Sequence, residues 1–183
     1  YGAAGAPAAP AAPAAPYQAP ALRPVAPGEV RVEPLSGIRR TIARRLTEAW
    51  TAPAFQISVS ADMERVTALR AGLVARTPEG APKPTVSDVV TKLVAMALTR
   101  HPAVNALWGD DGIHLYGNVN IGLAVAVPNG LVVPVIPAAE QRTVAEIAAI
   151  RTDLVQRARA GKLSNEDMQG GTFSISNLGM FGI

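Results

Sequence analysis

Cysteine is absent from the 183 residues, which excludes disulfides, thiolate metal sites and any nucleophilic thiol carried by the protein itself. The absence fits a reducing, cytoplasmic setting. Aromatic residues are scarce at 4%, and no Lys/Arg run is interleaved with stacking rings as single-strand binders require. Charge is sparse too. Seventeen Lys+Arg against 14 Asp+Glu leave a net +3, and much of that excess sits where Arg39, Arg40, Arg44 and Arg45 face a single Glu48. Nucleic acid is therefore set aside as a partner. Long apolar runs are also missing. The longest, Val119 to Ile136, is broken by Pro128, Asn129, Gly130 and Pro134, whereas a spanning helix takes about 20 apolar residues. The first residues lack the basic-then-apolar layout of a signal peptide. These absences read as a soluble chain with no membrane partner.

What is present is a hydrophobic fraction of 49%, too high for a wholly disordered chain, in a length that holds one or two domains. The chain opens on Tyr1 rather than Met and closes on an apolar run at Ile183. Natural termini are usually polar and frayed, so the sequence reads as a stretch cut at both ends. Residues 1–34 are almost wholly Ala, Pro and Gly, with Ala-Ala-Pro repeated from Ala8 to Pro16. With no large side chains to bury and prolines favouring an extended form, this segment reads as a flexible Ala/Pro linker. At 3.1 Å per residue it could reach about 100 Å.

Residues 35–183 carry the periodicities of a globular domain. Ser36 caps a helix striped by Ile38, Ile42, Leu46 and Trp50. From Ala54 to Asp62 the pattern alternates, with Phe55, Ile57, Val59 and Ala61 on one face, which predicts a half-buried strand. A helix carrying Val66, Leu69 and Leu73 follows. The next begins at Ser87, is apolar on more than one side, and so is expected to be central. Gly109–Gly112 is a turn into a short strand at 113–116. Val119–Val127 and Leu131–Ile136 read as buried strands joined at Pro128-Asn129-Gly130. Thr143 and Glu146 form a capping box that opens a helix stopping near Gly161. A last strand, Thr172–Ser176, puts Phe173 and Ile175 on one face and Ser174 and Ser176 on the other. Helices and strands mixed around one sheet make the class α/β (α+β).

Chemistry is harder to find by spacing. The two histidines, His101 and His114, read as a helix-end residue and a position on an exposed strand. No phosphate loop, dinucleotide fingerprint or metal-ligand spacing occurs, so no metal is expected.

Three strings carry more. Pro34-Leu-Ser-Gly-Ile-Arg-Arg-Thr-Ile-Ala-Arg-Arg-Leu46, the run Asn118 to Val135, and Gly170-Gly-Thr-Phe-Ser-Ile-Ser-Asn-Leu-Gly-Met180 closely resemble the dihydrolipoamide acyltransferase (E2) family of 2-oxoacid dehydrogenase complexes, in that family's order and spacing. The Ala/Pro segment is similar to the linker that precedes its catalytic domain. The resemblance implies a chloramphenicol acetyltransferase-like mixed sheet with flanking helices, truncated here at its carboxyl end. It also implies homotrimers building a larger core, with decarboxylase (E1) and dihydrolipoamide dehydrogenase (E3) joined through upstream domains. The reaction would move an acyl group, acetyl first, from dihydrolipoamide to coenzyme A, with lipoate held covalently on a domain outside these residues. Both thiols belong to substrates, so a cysteine-free protein is no obstacle.

Such a reaction needs a general base and an oxyanion donor. The family's base is the His of an Asp-His-Arg-x-x-Asp-Gly motif, which the resemblance puts beyond Ile183; neither His101 nor His114 matches it. On this reading the stretch alone is inactive. The position matching the family's oxyanion serine is Ser176, with Ser174 the rival on the same strand face. Arg39 and Arg40 suit coenzyme A phosphates by charge and fork geometry; a solvated helix face or an intersubunit salt bridge is the other reading. Two alternatives stand beside the enzyme: a non-catalytic assembly scaffold of the same fold, and a free-standing chloramphenicol-type acetyltransferase.

Overall fold

The computed structural model describes residues 24–128 and 130–179. The expectation of an extended form for the Ala8–Pro16 repeats, and the Asn129 half of the Asn-Gly turn, fall outside the described residues. Two units separate between Pro34 and Leu35. In the first, residues 24–34 are exposed, with a turn closed by the Glu29 amide donating to Ala26 O (3.0 Å) and an Arg31–Glu33 ion pair (2.9 Å).

The second unit holds helices α1 (Gly37–Ala49), α2 (Glu64–Ala75), α3 (Val86–Arg100) and α4 (Val144–Arg159). Its strands are β1 (Ala106–Gly109), β2 (Gly112–Leu115), β3 (Ile121–Leu123), β4 (Val125–Val127), β5 (Gly130–Val132), β6 (Val135–Ile136) and β7 (Phe173–Ile175). A mixed sheet in the order β6-β3-β7 is central: β3 runs antiparallel to β6 and parallel to β7. The hairpins β1-β2 and β4-β5 stand as separate two-stranded sheets. Helices α3 and α4 pack on each other, and α4 also reaches β4 and β6. The core joins Ala95 and Leu98 of α3 to Ile121 and Leu123 of β3, Ile136 of β6, and Ile147 and Leu154 of α4. Truncating a buried Ile or Leu of this kind costs about 2–5 kcal/mol. The class is α/β, as the sequence implies.

Caps set the helix starts. Ser36 Oγ accepts from the Arg39 amide (3.4 Å), and Thr143 with Glu146 forms the expected capping box. The two hydrogen bonds from Thr143, backbone first and then side chain, hold the Glu146 carboxyl below its ordinary pKa. Gly161, at φ +65° just past the end of α4, takes a left-handed conformation that glycine adopts without strain.

Several expectations need correction. No strand forms over Ala54–Asp62: the segment has no regular structure and joins no sheet among the described residues, and Phe55, Ile57 and Val59 are 86%, 77% and 87% exposed. A strand needs a ladder as well as an alternating pattern. Helix α3 starts at Val86 with Thr85 as its cap, because Thr85 and Asp88 form the reciprocal box that Ser87 has no partner for. It buries one face, through Asp88, Val89, Thr91, Ala95 and Leu98, and leaves Leu93 and Met96 exposed. The run Val119–Val127 breaks at Ala124 into β3 and β4, which belong to different sheets, so the single sheet becomes three. Strand β1 was not apparent from the sequence; it pairs with β2 around the Gly109–Gly112 turn. On α1 the stripe is only half used: Ile38 and Ile42 are half-buried, while Leu46 and Trp50 stand exposed. Among the described residues no helix is long and apolar enough to cross a membrane.

Candidate active site

Ser176 follows the last residue of β7, whose position is fixed from both sides. Phe173 and Ile175 pack against the core, and Ile175 O accepts from the Ala124 amide (3.1 Å) as the ladder to β3 ends. Upstream, buried Thr172 gives its hydroxyl to Asn105 Oδ1 (2.6 Å) and accepts from the Asn120 amide (3.1 Å). Asn105 in turn donates to Tyr116 O and Asn118 O (2.8 and 3.0 Å). This polar knot ties the segments before β3 and β7 together, so the strand that leads into Ser176 is held on rigid backbone.

Beyond Ile175 the chain lines an open cleft of about 280 Å³ in which Ser176, Asn177 and Leu178 face Val86, Ser87 and Val90 on α3. Ser176 is exposed to it. A hydroxyl in that place can donate to a developing negative charge, which is the role of an oxyanion donor. Ser174 is exposed as well, but it lies within β7 and its Oγ sits beside Gly122, 3.2 Å from where a Cβ would stand. The cleft is lined by Ser176 and not by Ser174.

Arg39 and Arg40 lie on the exposed first turn of α1 and do not line this cleft. Arg40 Nη2 reaches Leu35 O at 3.4 Å, a local contact. His101 is the exposed cap at the end of α3, the structural position the sequence suggests. His114 sits on β2, where Nε2 is 2.6 Å from Oδ1 of Asp111 in the hairpin turn. That pairing follows from the tight Gly109–Gly112 turn, and sequence spacing did not reveal it. Neither histidine lines the Ser176 cleft. No group of three His, Asp or Glu side chains that could hold a metal occurs among the described residues.

A larger cavity of about 520 Å³ lies against α4, but Arg157, Asp153 and Asp167 on its lining are spent on one another. Arg157 gives Nη1 and Nη2 to Asp167 (2.5 and 2.9 Å) and Nε to Asp153 (2.8 Å). The Ser164 amide and hydroxyl also donate to Asp167 (2.7 and 2.9 Å). The Arg157 bonds first, and the Ser164 bonds after them, hold the Asp167 carboxyl well below the usual carboxylate range. The same contacts, with Asp167 foremost, push Arg157 above its ordinary value. This arrangement fastens the 164–169 loop to α4 and leaves the strand-end cleft as the better site for chemistry.

Residues 27–183 match the family model of the 2-oxoacid dehydrogenases acyltransferase catalytic domain; the chain belongs to that family of acyl-transferring domains. Within it, similar proteins carry a more particular name. The mitochondrial dihydrolipoyllysine-residue acetyltransferase component of the pyruvate dehydrogenase complex of Schizosaccharomyces pombe is 46% identical over 164 residues, which are 89% of this chain and 34% of that protein. The Rickettsia bellii component of the same name is 40% identical over 86% of this chain and 38% of its own length. The chain thus spans somewhat more than a third of these curated relatives. Among solved structures, the Azotobacter vinelandii dihydrolipoamide acetyltransferase superposes with a TM-score of 0.79 at 31% identity, over 87% of this chain and 69% of that one. It was solved to establish the role of a serine, a histidine and an asparagine in its catalytic mechanism. The cubic core of a pyruvate dehydrogenase multienzyme complex gives the same TM-score at 32% identity, over 88% and 69%.

Proposed function

We propose that the protein is the acyltransferase core of a 2-oxoacid dehydrogenase complex, moving an acetyl group from dihydrolipoamide to coenzyme A, and that Ser176 donates to the oxyanion. The observation that carries this reading is the placement of Ser176 at the end of a fixed strand, exposed in the cleft against α3. In the reaction the coenzyme A thiol loses its proton to a base, and the thiolate attacks the thioester carbonyl. The carbonyl oxygen takes up negative charge in the tetrahedral intermediate, where the Ser176 hydroxyl donates to it. Collapse then breaks the bond to the dihydrolipoyl sulfur, which leaves and takes the proton back. A donor aimed at charge that exists only in the intermediate stabilises the transition state without tightening substrate binding.

The base is assigned to the His of an Asp-His-Arg-x-x-Asp-Gly motif outside these 183 residues. His101, at a helix end, and His114, spent on Asp111, are poorly placed for it. Arg39 and Arg40 are kept as candidate phosphate contacts for coenzyme A, on charge alone. Residues 1–34 serve as the linker to lipoyl-bearing and E1- and E3-recruiting domains, and 35–183 as part of a catalytic domain that forms homotrimers within a larger core. Relatives come both from bacteria and from mitochondria; in a bacterial cell the site of action is the cytoplasm.

The test is acyl transfer to coenzyme A by the full-length protein. Ser176→Ala is expected to lower kcat by about 10²–10³-fold with KM nearly unchanged, and Ser174→Ala to lose far less. Near-normal turnover by Ser176→Ala together with failure of Ser174→Ala would move the donor two residues; normal turnover by both removes it from this strand.

A further inference from the structure

We infer that Ser87 is a positioning residue for Ser176, acting through Asn177; the inference rests on the oxyanion role proposed above. Asn177 Nδ2 donates to Ser87 Oγ at 2.9 Å across 90 residues of sequence. The other end of the same carboxamide is also engaged: the Gly179 amide donates to Asn177 Oδ1 at 2.9 Å. Asn177 is therefore a bracket, closing the turn that follows Ser176 and fastening it to the first turn of α3.

That first turn is a rigid anchor. Thr85 and Asp88 cap it reciprocally. Arg70 of α2 donates to Pro84 O (3.2 Å) immediately before it, and Arg151 of α4 holds Asp88 from the opposite helix (2.7 Å). Ser87 sits on this corner, half-buried, with its hydroxyl toward the cleft-lining turn. Ser176 then hangs between two fixed points, Ile175 in the core and Asn177 on α3. Without the second point its backbone is held on one side only, and a donor must stay within about 0.5 Å of its productive place to be effective. Ser87 touches no reacting atom in this scheme; it limits where the Ser176 hydroxyl can go.

The experiment measures kcat and KM of the full-length enzyme for Ser87→Ala, Ser87→Thr, Ser176→Ala and the double variant Ser87→Ala/Ser176→Ala. Loosening short of a full 1 Å displacement, which costs about 10²-fold, gives an expected kcat loss of roughly tenfold for Ser87→Ala, with KM for both substrates unchanged. Ser87→Thr, which keeps the hydroxyl, restores most of the loss. In the Ser176→Ala background Ser87→Ala costs nothing more, because there is no longer a donor to position. An equal loss in both backgrounds, no loss at all, or a loss that Thr does not restore overturns the inference while leaving the role of Ser176 standing. Full turnover by Ser176→Ala alone overturns both, and is seen in a different variant.

Discussion

Asp88 and Arg151 meet across 63 residues of sequence with Nε 2.7 Å from Oδ1, and Asp88 is 1% exposed. The other oxygen of Asp88 accepts from the amide and hydroxyl of Thr85 (both 2.7 Å). One carboxylate thus caps α3 and ties it to α4. Removing the arginine leaves a buried charge half-satisfied, and breaking a buried pair from one side costs about 3–5 kcal/mol. Arg151→Met is expected to lower unfolding free energy near the bottom of that range, read from urea titration, because its guanidinium is partly exposed and Thr85 remains. A loss below about 1 kcal/mol, the worth of a surface pair, contradicts the picture.

Close approach at Gly122 gives a second expectation. A Cβ there would stand 2.8 Å from Val133 Cγ1 and 3.2 Å from Ser174 Oγ, on the central strand of the β6-β3-β7 sheet. Gly122→Ala overpacks this point and is expected to cost about 1–3 kcal/mol. Adding Val133→Ala removes the nearer clash and should return part of the loss. If the double variant is no more stable than Gly122→Ala, the crowding lies elsewhere.

Local signals were legible in the sequence where one residue type can do one job. Ser36, and Thr143 with Glu146, announce helix starts because their side chains satisfy amides three residues on. Thr85 and Ser87 could each cap α3, and the choice turns on which has a carboxylate at the third helical position; Asp88 decides for Thr85. Ser176 was legible only through the string Phe173 to Gly179, not through any spacing of charge or polarity. Its bracket was not legible at all, since Ser87 and Asn177 lie far apart in sequence and only the fold brings them together. The break between β3 and β4 was not legible for a different reason: the apolar run from Ile121 to Val127 carries no mark of it at Ala124.

The alternation at Phe55, Ile57 and Val59 predicts a strand, yet the three side chains project into solvent. Burial is what makes such residues stabilising, at about 25 cal/mol per Å² of apolar surface removed from water. Replacing all three by Ser in the isolated 183-residue chain should therefore leave its unfolding midpoint unchanged and reduce binding of an apolar dye such as ANS. A clear fall in the midpoint would mean that this segment packs against the domain in solution.

The Arg157–Asp167 contact sets an acid limit. Asp167 has its folded pKa depressed, chiefly by Arg157 and then by Ser164, against an unfolded value of about 3.9. A carboxylate of this kind contributes stability that is fully present above its unfolded pKa and is lost as pH falls toward the folded one. Arg157 is shifted upward, so its share is lost only in strong alkali. Glu146, also depressed, loses stability in the same acid direction, so wild type alone cannot isolate Asp167; the difference from Asp167→Asn can. That variant should be less stable than wild type by a constant margin from pH 7 to about 5, and the margin should shrink below about pH 4, where the unfolded wild-type chain binds a proton that the folded Asp167 still excludes. Thermal unfolding at pH 7, 5, 4 and 3 reads this directly. A margin that is undiminished at pH 3, or that widens toward acid, would show that the loop is held to α4 by something other than this charge.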